Sequence, residues 1–272
     1  NFIHCRSNAL NSKTHKKEIE AYGIAKFNQK CRESVFKYKK DWDWLTERIG
    51  YWLDLESAYI TCSNEYMETV WWILSEYYKQ GLIYRGDKIV PWCPRCGTGL
   101  SSHEVALGYD KAEDPSVFVK VPLENKPNTY FLVWTTTPWT LISNVSLALN
   151  PEAVYAEVSH NAEKLILAKQ LLPNVLKGEY TIEKEFKGKE LEKTKYKPLF
   201  AFVKIDKPAY YVTVADFVSL KEGTGIVHIA PAFGADDYNL CQQYNLPKPQ
   251  PIDEAGKFTT EVTPWKGMFI KD

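Results

Sequence analysis

A chain of 272 residues in which 34 lysines and arginines offset 34 aspartates and glutamates has no net field to draw it to nucleic acid or membrane, so such contacts must come from local patches. Its length suits one sizeable core or two modest ones. No run reaches the roughly 18 apolar residues of a membrane span, and the N-terminal region lacks a charged-then-apolar signal, so a cytoplasmic chain without a membrane partner is expected. Six cysteines are too sparse for a disulfide scaffold, and reduced thiols are the expectation.

The first dozen residues show no usable pattern. From Ile24 the apolar residues Phe27, Cys31, Val35, Tyr38, Trp42, Leu45 and Ile49 recur every three or four positions, which predicts one long amphipathic helix with a break near Lys40. A second helix is predicted after Ser63 or Asn64, with a stripe of Met67, Val70, Trp71, Leu74 and Tyr78 and a stop at Gly81. Next, "PWCPRCGTGL" sets Cys93 and Cys96 two residues apart in a Pro/Gly turn, which is half of a zinc knuckle. A structural zinc site wants about four ligands. Cys5, Cys31, Cys62, Cys241 and the histidines offer no matching spacing, and His103 is the nearest further candidate. The expectation is a partial site completed elsewhere.

Past residue 108 the period shortens. "SVFVKVPL", "TYFLVWTT", "VYAEVSH", "YYVTVADF" and "GIVHIAP" are short, β-branched and aromatic, separated by Pro, Asn and Gly turns, with helical runs near Ala168 to Leu176 and Ala235 to Tyr244. The organisation expected is a helical segment at 1–90, a Cys-x-x-Cys turn at 91–108, a β-rich domain at 109–266 and a tail at 267–272.

Two stretches stand apart. "LVWTTTPWTLISN", residues 132–144, ends a strand on three threonines stopped by a proline. "GTGIVHIAPAFGADDY", residues 223–238, runs a strand bearing His228 into a Gly/Pro loop and a helix starting near Asp236 and Asp237. One of these acids is expected to cap the helix and the other to face a cavity. Each stretch alone has a plainer reading: threonine forms strands, Trp134 and Trp139 suit a core, and a single strand histidine is usually a core residue.

Taken with "ETVWWIL" and "PWCPRCGTGLSSHEV", these stretches resemble the isoleucyl-tRNA synthetases, a branch of the class I aminoacyl-tRNA synthetases, from about Glu18 onward. Valyl and leucyl enzymes are similar but carry arginine after their threonines, where this chain has Thr137-Pro138-Trp139. The resemblance implies an α+β fold: a β-barrel editing domain inserted into, and here accompanied by, a helical part of the synthetase catalytic domain. Neither the "HIGH" nor the "KMSKS" signature is present, so ATP and magnesium belong to the full-length enzyme and the editing part requires no cofactor. A second thiol pair follows the inserted domain in the family, which fits a partial zinc site at Cys93 and Cys96.

The activity implied is hydrolysis of valine wrongly attached to isoleucine tRNA. Its partners would be the acceptor end of that tRNA, the valyl-adenosine end as substrate, and the remainder of the parent synthetase. By resemblance Asp237 holds the substrate α-ammonium, Asp236 caps the helix, and His228 walls the side-chain pocket and polarises the ester. Thr136 and Thr137 join Asp237 and His228 as the catalytic set, and Thr135, Thr140 and Asn144 bind substrate. Short hydroxyls and one anion suit such an end, which presents ribose hydroxyls, an ester carbonyl and a cation. The alternative is a module that binds the tRNA end without chemistry, with lysines around "KPLFAFVKIDK" tracking phosphates.

Overall fold

The structure, a computed structural model, describes residues 16–272. Cys5 and the rest of the first dozen residues lie outside the described residues. The chain divides into two compact units, one ending at Asp87 and one running Lys88–Asp272.

The described part of the first unit is helical: α1 (Lys16–Tyr22), α2 (Ile24–Phe36), α3 (Lys39–Arg48) and α4 (Asn64–Lys79). The long helix expected from Ile24 is interrupted at Lys37 and Tyr38, slightly before Lys40. Ser63 caps α4 by accepting the Tyr66 N–H at 3.3 Å, and Gly81, at φ 72°, supplies the left-handed residue that ends it. Among the described residues of this unit Phe27 is the buried apolar side chain, while Trp42, Trp71 and Trp52 of the periodic stripes and the loop after them lie open.

In the second unit β1 (Trp92–Cys93) and β2 (Thr98–Gly99) form a small hairpin around the Cys-x-x-Cys turn. Helix α5 (Ser102–Leu107) follows, started by a reciprocal Ser101–Glu104 capping box. Eight more strands make two sheets. The larger contains β3 (Val117–Pro122), β4 (Thr129–Thr135), β6 (Val154–His160), β7 (Glu163–Ala168) and β8 (Thr181–Lys187), in the order β3-β4-β7-β6-β8. The smaller contains β5 (Ser146–Leu149), β9 (Tyr211–Val214) and β10 (Ile226–Ile229), in the order β10-β5-β9. No closed ring of strands forms among the described residues; the unit is a mixed α/β body of two sheets over a shared core.

That core joins Val121, Phe131, Val133 and Ile166 of the larger sheet to Leu147, Leu149, Val212 and Ile226 of the smaller one. Each such side chain contributes on the order of 1.5–3 kcal/mol by leaving water. The other face of the larger sheet packs Ala156, Val158 and Leu167 on Leu172 of the short helix α6 (Leu172–Val175). A third cluster, Val145, Ala148 and Ile229 with Leu240, Cys241 and Leu246, pins α7 (Ala235–Tyr244) against the smaller sheet. Between them these clusters fix the end of β4, strand β10 and the start of α7. No helix among the described residues is long and apolar enough to cross a membrane.

Candidate functional site

Strand β4 ends at Thr135 because Pro138 lacks an N–H to continue a ladder and restricts Thr137 before it, which stands at φ −124°, ψ 68°. The chain then turns through a 3-10 segment, Pro138–Ser143, that buries Thr140. Strand β10 pairs antiparallel with β5, His228 opposite Leu147, and brings the imidazole to the threonine turn. Thr140 Oγ1 lies 3.0 Å from His228 Nε2, 3.1 Å from Thr137 Oγ1 and 2.8 Å from the Thr137 carbonyl. Thr137 Oγ1 is in turn 3.3 Å from Thr135 Oγ1, which accepts the Thr137 N–H at 3.1 Å.

The proton positions follow from counting. Thr140 has one hydroxyl hydrogen, and the Thr137 carbonyl can only accept, so that hydrogen goes to the carbonyl. The His228 tautomer that suits this arrangement carries its hydrogen on Nε2, and Nδ1 is buried without a hydrogen-bond partner among the described residues. Burial lowers the His228 pKa to about 4, so the ring is neutral at pH 7.

Helix α7 starts differently from expectation. Its N-cap is Gly234, extended at φ −135° and ψ 138°, and no side chain caps it. Asp236 is therefore not the cap; it is an exposed acid in the first turn, where the helix dipole favours it. Asp237, one residue on, points back and accepts the Ala230 N–H on Oδ2 at 2.8 Å. Burial, reinforced by the charge of Asp236, raises its carboxyl above the usual range, and the Ala230 hydrogen bond opposes the rise.

Thr135, Thr136, Thr137, Thr140, His228 and Asp237 all line one cleft of about 280 Å³. Its apolar remainder is Trp134, Trp139, Val227, Ala230 and Phe233, none of which the sequence had marked as part of a site. The one available signal was the placing of two tryptophans and a phenylalanine inside the two singled-out stretches. Thr136 is exposed, and its side chain makes no hydrogen bond among the described residues. Asn144 does not belong to the cleft: its Nδ2 donates to the Ser146 carbonyl at 2.8 Å and its Oδ1 accepts from Tyr196 at 2.6 Å. Buried within that network, it braces the start of β5. A wider hollow of about 530 Å³ at Glu47, Tyr51, Trp52 and Leu53 in the first unit gathers few convergent polar groups.

The knuckle turn closes on itself through the Cys96 N–H, which reaches Cys93 Sγ at 3.4 Å. That backbone donor, the Cys96 thiol and Arg95 hold the Cys93 thiol below its usual range. No group of three or more His, Cys, Asp or Glu able to hold a metal is gathered among the described residues, so neither His103 nor another side chain joins the pair. Two thiols do not fit a closed four-ligand zinc site.

The chain matches the family model for tRNA synthetases class I (I, L, M and V) over residues 7–239. It is 53% identical over 256 residues to an isoleucine–tRNA ligase of Clostridium acetobutylicum, and 48% identical over 262 residues to one of Thermus thermophilus. Each alignment takes in 94% of this chain and 25% of the relative, so the chain spans about a quarter of the length of the curated relatives it matches. Among solved structures, the editing domain of P. knowlesi cytosolic leucyl-tRNA synthetase aligns with a TM-score of 0.45 at 15% identity, over 60% of this chain and 91% of that one. A likeness this distant bears on no residue of the site.

Proposed function

The chain belongs to the class I tRNA synthetases of the I, L, M and V group, and from that premise we propose that its second unit hydrolyses valine from mischarged isoleucine tRNA. The need is physical. A binding pocket tells isoleucine from valine by one methylene, roughly 1–3 kcal/mol, a limit for which these synthetases are themselves the usual illustration. A second site that admits the smaller amino acid removes the error.

The observation that carries the reading is the convergence of four threonines, a neutral histidine and one carboxylate on a single cleft. Asp237 has Oδ2 on Ala230 and retains acceptor capacity for the substrate α-ammonium, through a charge-assisted hydrogen bond. Because His228 is uncharged at pH 7, it does not compete with that cation for Asp237. The exposed hydroxyl of Thr136 is free to donate to the ester carbonyl or a ribose oxygen, while the linked Thr135, Thr137 and Thr140 hold the wall rigid. Hydrolysis then needs only a positioned water. Its oxygen adds to the ester carbon, the bond to the ribose oxygen breaks, and a proton from the water ends on that oxygen, relayed by the neighbouring ribose hydroxyl. No cofactor enters. The partners of this reading are the acceptor end of isoleucine tRNA and the rest of a longer synthetase, and ATP with magnesium serves ligation in that longer enzyme alone. Zinc at Cys93 and Cys96 would require a second thiol pair from outside the chain.

The test is deacylation of valyl-tRNA charged on isoleucine tRNA. The purified chain should release valine and an Asp237→Ala variant should not; tRNA binding without release would favour a docking module instead.

A further inference from the structure

One wall of the cleft comes from an element outside the threonine and histidine set. Residues Ala230 to Phe233 form a tight turn in which the Phe233 N–H reaches the Ala230 carbonyl at 3.0 Å. The same Ala230 gives its N–H to Asp237 Oδ2 at 2.8 Å, so the carboxylate closes the turn from outside. Gly234 completes the clamp, since a Cβ there would stand 3.0 Å from Asp237 Cγ. The turn presents the Phe233 ring to Trp139, edge to face, with centroids 5.2 Å apart at 82°, and both rings line the cleft. Trp139 comes from the 3-10 segment after the threonines and Phe233 from the loop after β10.

We propose that the Trp139–Phe233 pair is the ceiling that limits the amino-acid side chain admitted to the cleft, and that Asp237 is also the positioning residue that holds this ceiling through Ala230. The inference rests on the editing reading and adds its specificity element. The amino acid's ammonium and side chain leave the same carbon. If the ammonium sits on Asp237, the surface nearest that carbon is the turn whose N–H lies on the same carboxylate, and its aromatic ring meets the side chain. A wall rejects one extra methylene only if it cannot give. Phe233 is restrained by its own turn hydrogen bond, by the carboxylate closure behind it and by Trp139 across it, whereas a ring on an untethered loop would yield. One carboxylate thus both fixes the cation and sets the space beside it, so placement of the substrate and measurement of its size are coupled.

The test uses binding as well as turnover. Affinities of the full chain are measured for adenosine bearing a non-hydrolysable 2′-valylamide or 2′-isoleucylamide, alongside deacylation of valyl- and isoleucyl-tRNA. Phe233→Ala should narrow the preference for the valyl compound by at least about tenfold through a gain in isoleucyl binding, and Phe233→Tyr should retain it; a Phe233→Leu variant gives an intermediate result where the alanine change costs folding. Asp237→Asn keeps an oxygen for the Ala230 N–H, so it should weaken both compounds yet preserve the preference, while Asp237→Ala should weaken both and erode it. An unchanged preference in both Phe233→Ala and Phe233→Leu overturns the ceiling, as does loss of preference in Asp237→Asn equal to that in Asp237→Ala. A preference that depends on Phe233 without any deacylation would sink the hydrolase reading and leave the ceiling standing. Absence of any valyl preference in the unaltered chain sinks the ceiling.

Discussion

Thr140 and His228, 88 residues apart in the chain, share a hydrogen bond of 3.0 Å between hydroxyl and imidazole. This bond ties the threonine turn to strand β10, beside the Trp139–Phe233 ring contact that joins the same two motifs. Replacing Thr140 with valine keeps the shape but strands the imidazole nitrogen in a buried place, a loss of roughly 1–3 kcal/mol. Thr140→Ser retains the hydroxyl and should stay within about 1 kcal/mol of the parent. Urea denaturation of both variants checks this, and equal midpoints for the two would show the bond to be dispensable.

Acid should weaken the fold through the same histidine. Its folded pKa of about 4 lies below the ordinary 6.5, so the unfolded chain binds the extra proton more readily. Stability from this group is therefore complete above pH 6.5 and falls as pH drops from 6.5 toward 4, by on the order of 3 kcal/mol at most. Unfolding curves for the parent and His228→Gln between pH 7 and 4.5 give the measurement. The substitution should flatten the slope in that window, and parallel curves would mean that the ring is protonated when buried or never differs from the unfolded state.

How much of this was legible in the sequence depends on how local each signal was. Helix α4 could be placed from Ser63 and Gly81, and α7 from Ala235 to Tyr244, because caps and stripes lie within the segment itself. Strands β5, β7 and β8 were not singled out. The β6–β7 hairpin turns on Asn161 and Ala162 at φ 49° and 64°, and alanine is a poor signal for a left-handed turn that usually calls for glycine. Strand β8, "TIEKEFK", reads as charged because it is an edge strand with its side chains in water. Within the site, Thr135, Thr136, Thr137, Thr140, His228 and Asp237 stood in two motifs and do converge. Asn144 was grouped with them by proximity in sequence, yet the 3-10 turn rotates it into the core beside Tyr196. The cap differs for a related reason: Gly234 offers no side chain to announce it, and Asp236, an acid in the first turn, resembles a cap in sequence while lying one residue inside the helix.

That rotation makes Asn144 a stability residue. Asn144→Ala removes the acceptor of the buried Tyr196 hydroxyl, whose own ionisation burial pushes well above the usual range, and should cost roughly 1–3 kcal/mol. Tyr196→Phe, which leaves Asn144 Oδ1 unpaired instead, should cost a similar amount. Valyl-tRNA deacylation per folded molecule should stay near that of the parent in both, and a selective loss of rate in Asn144→Ala would return Asn144 to the substrate contacts.

At the knuckle, two thiols and no third ligand among the described residues imply weak, incomplete metal binding. Metal analysis after dialysis should find well under one zinc per chain, and Cys93→Ser should leave deacylation unaltered. One tightly held zinc per chain would move the search to ligands outside residues 16–272.

The two adjacent acids of α7 should separate cleanly. Asp237 is half enclosed, and its raised pKa means that folding disfavours its ionised form. The sign follows: this group costs stability as pH rises from the ordinary carboxylate value through the raised one, and the cost is fully present above it. Asp237→Asn retains an oxygen for the Ala230 N–H and removes the buried charge, so its unfolding midpoint at pH 7 should rise, with the gain vanishing below about pH 4. Function should move the other way. Loss of a charge-assisted contact worth roughly 1.5–3 kcal/mol should slow valyl-tRNA deacylation by about 10- to 100-fold. The parent's rate should itself fall on acidification above the usual carboxylate range, and the asparagine variant should lack that limb. Asp236→Asn gives the opposite pattern. It forfeits a favourable interaction with the helix dipole, about 0.3–1 kcal/mol, and relieves the Coulombic push on Asp237, so the acid limb of the rate profile should shift to lower pH while the plateau rate holds. Paired thermal melts and pH–rate profiles read both effects, and a plateau rate that drops for Asp236→Asn but holds for Asp237→Asn would reverse the two assignments.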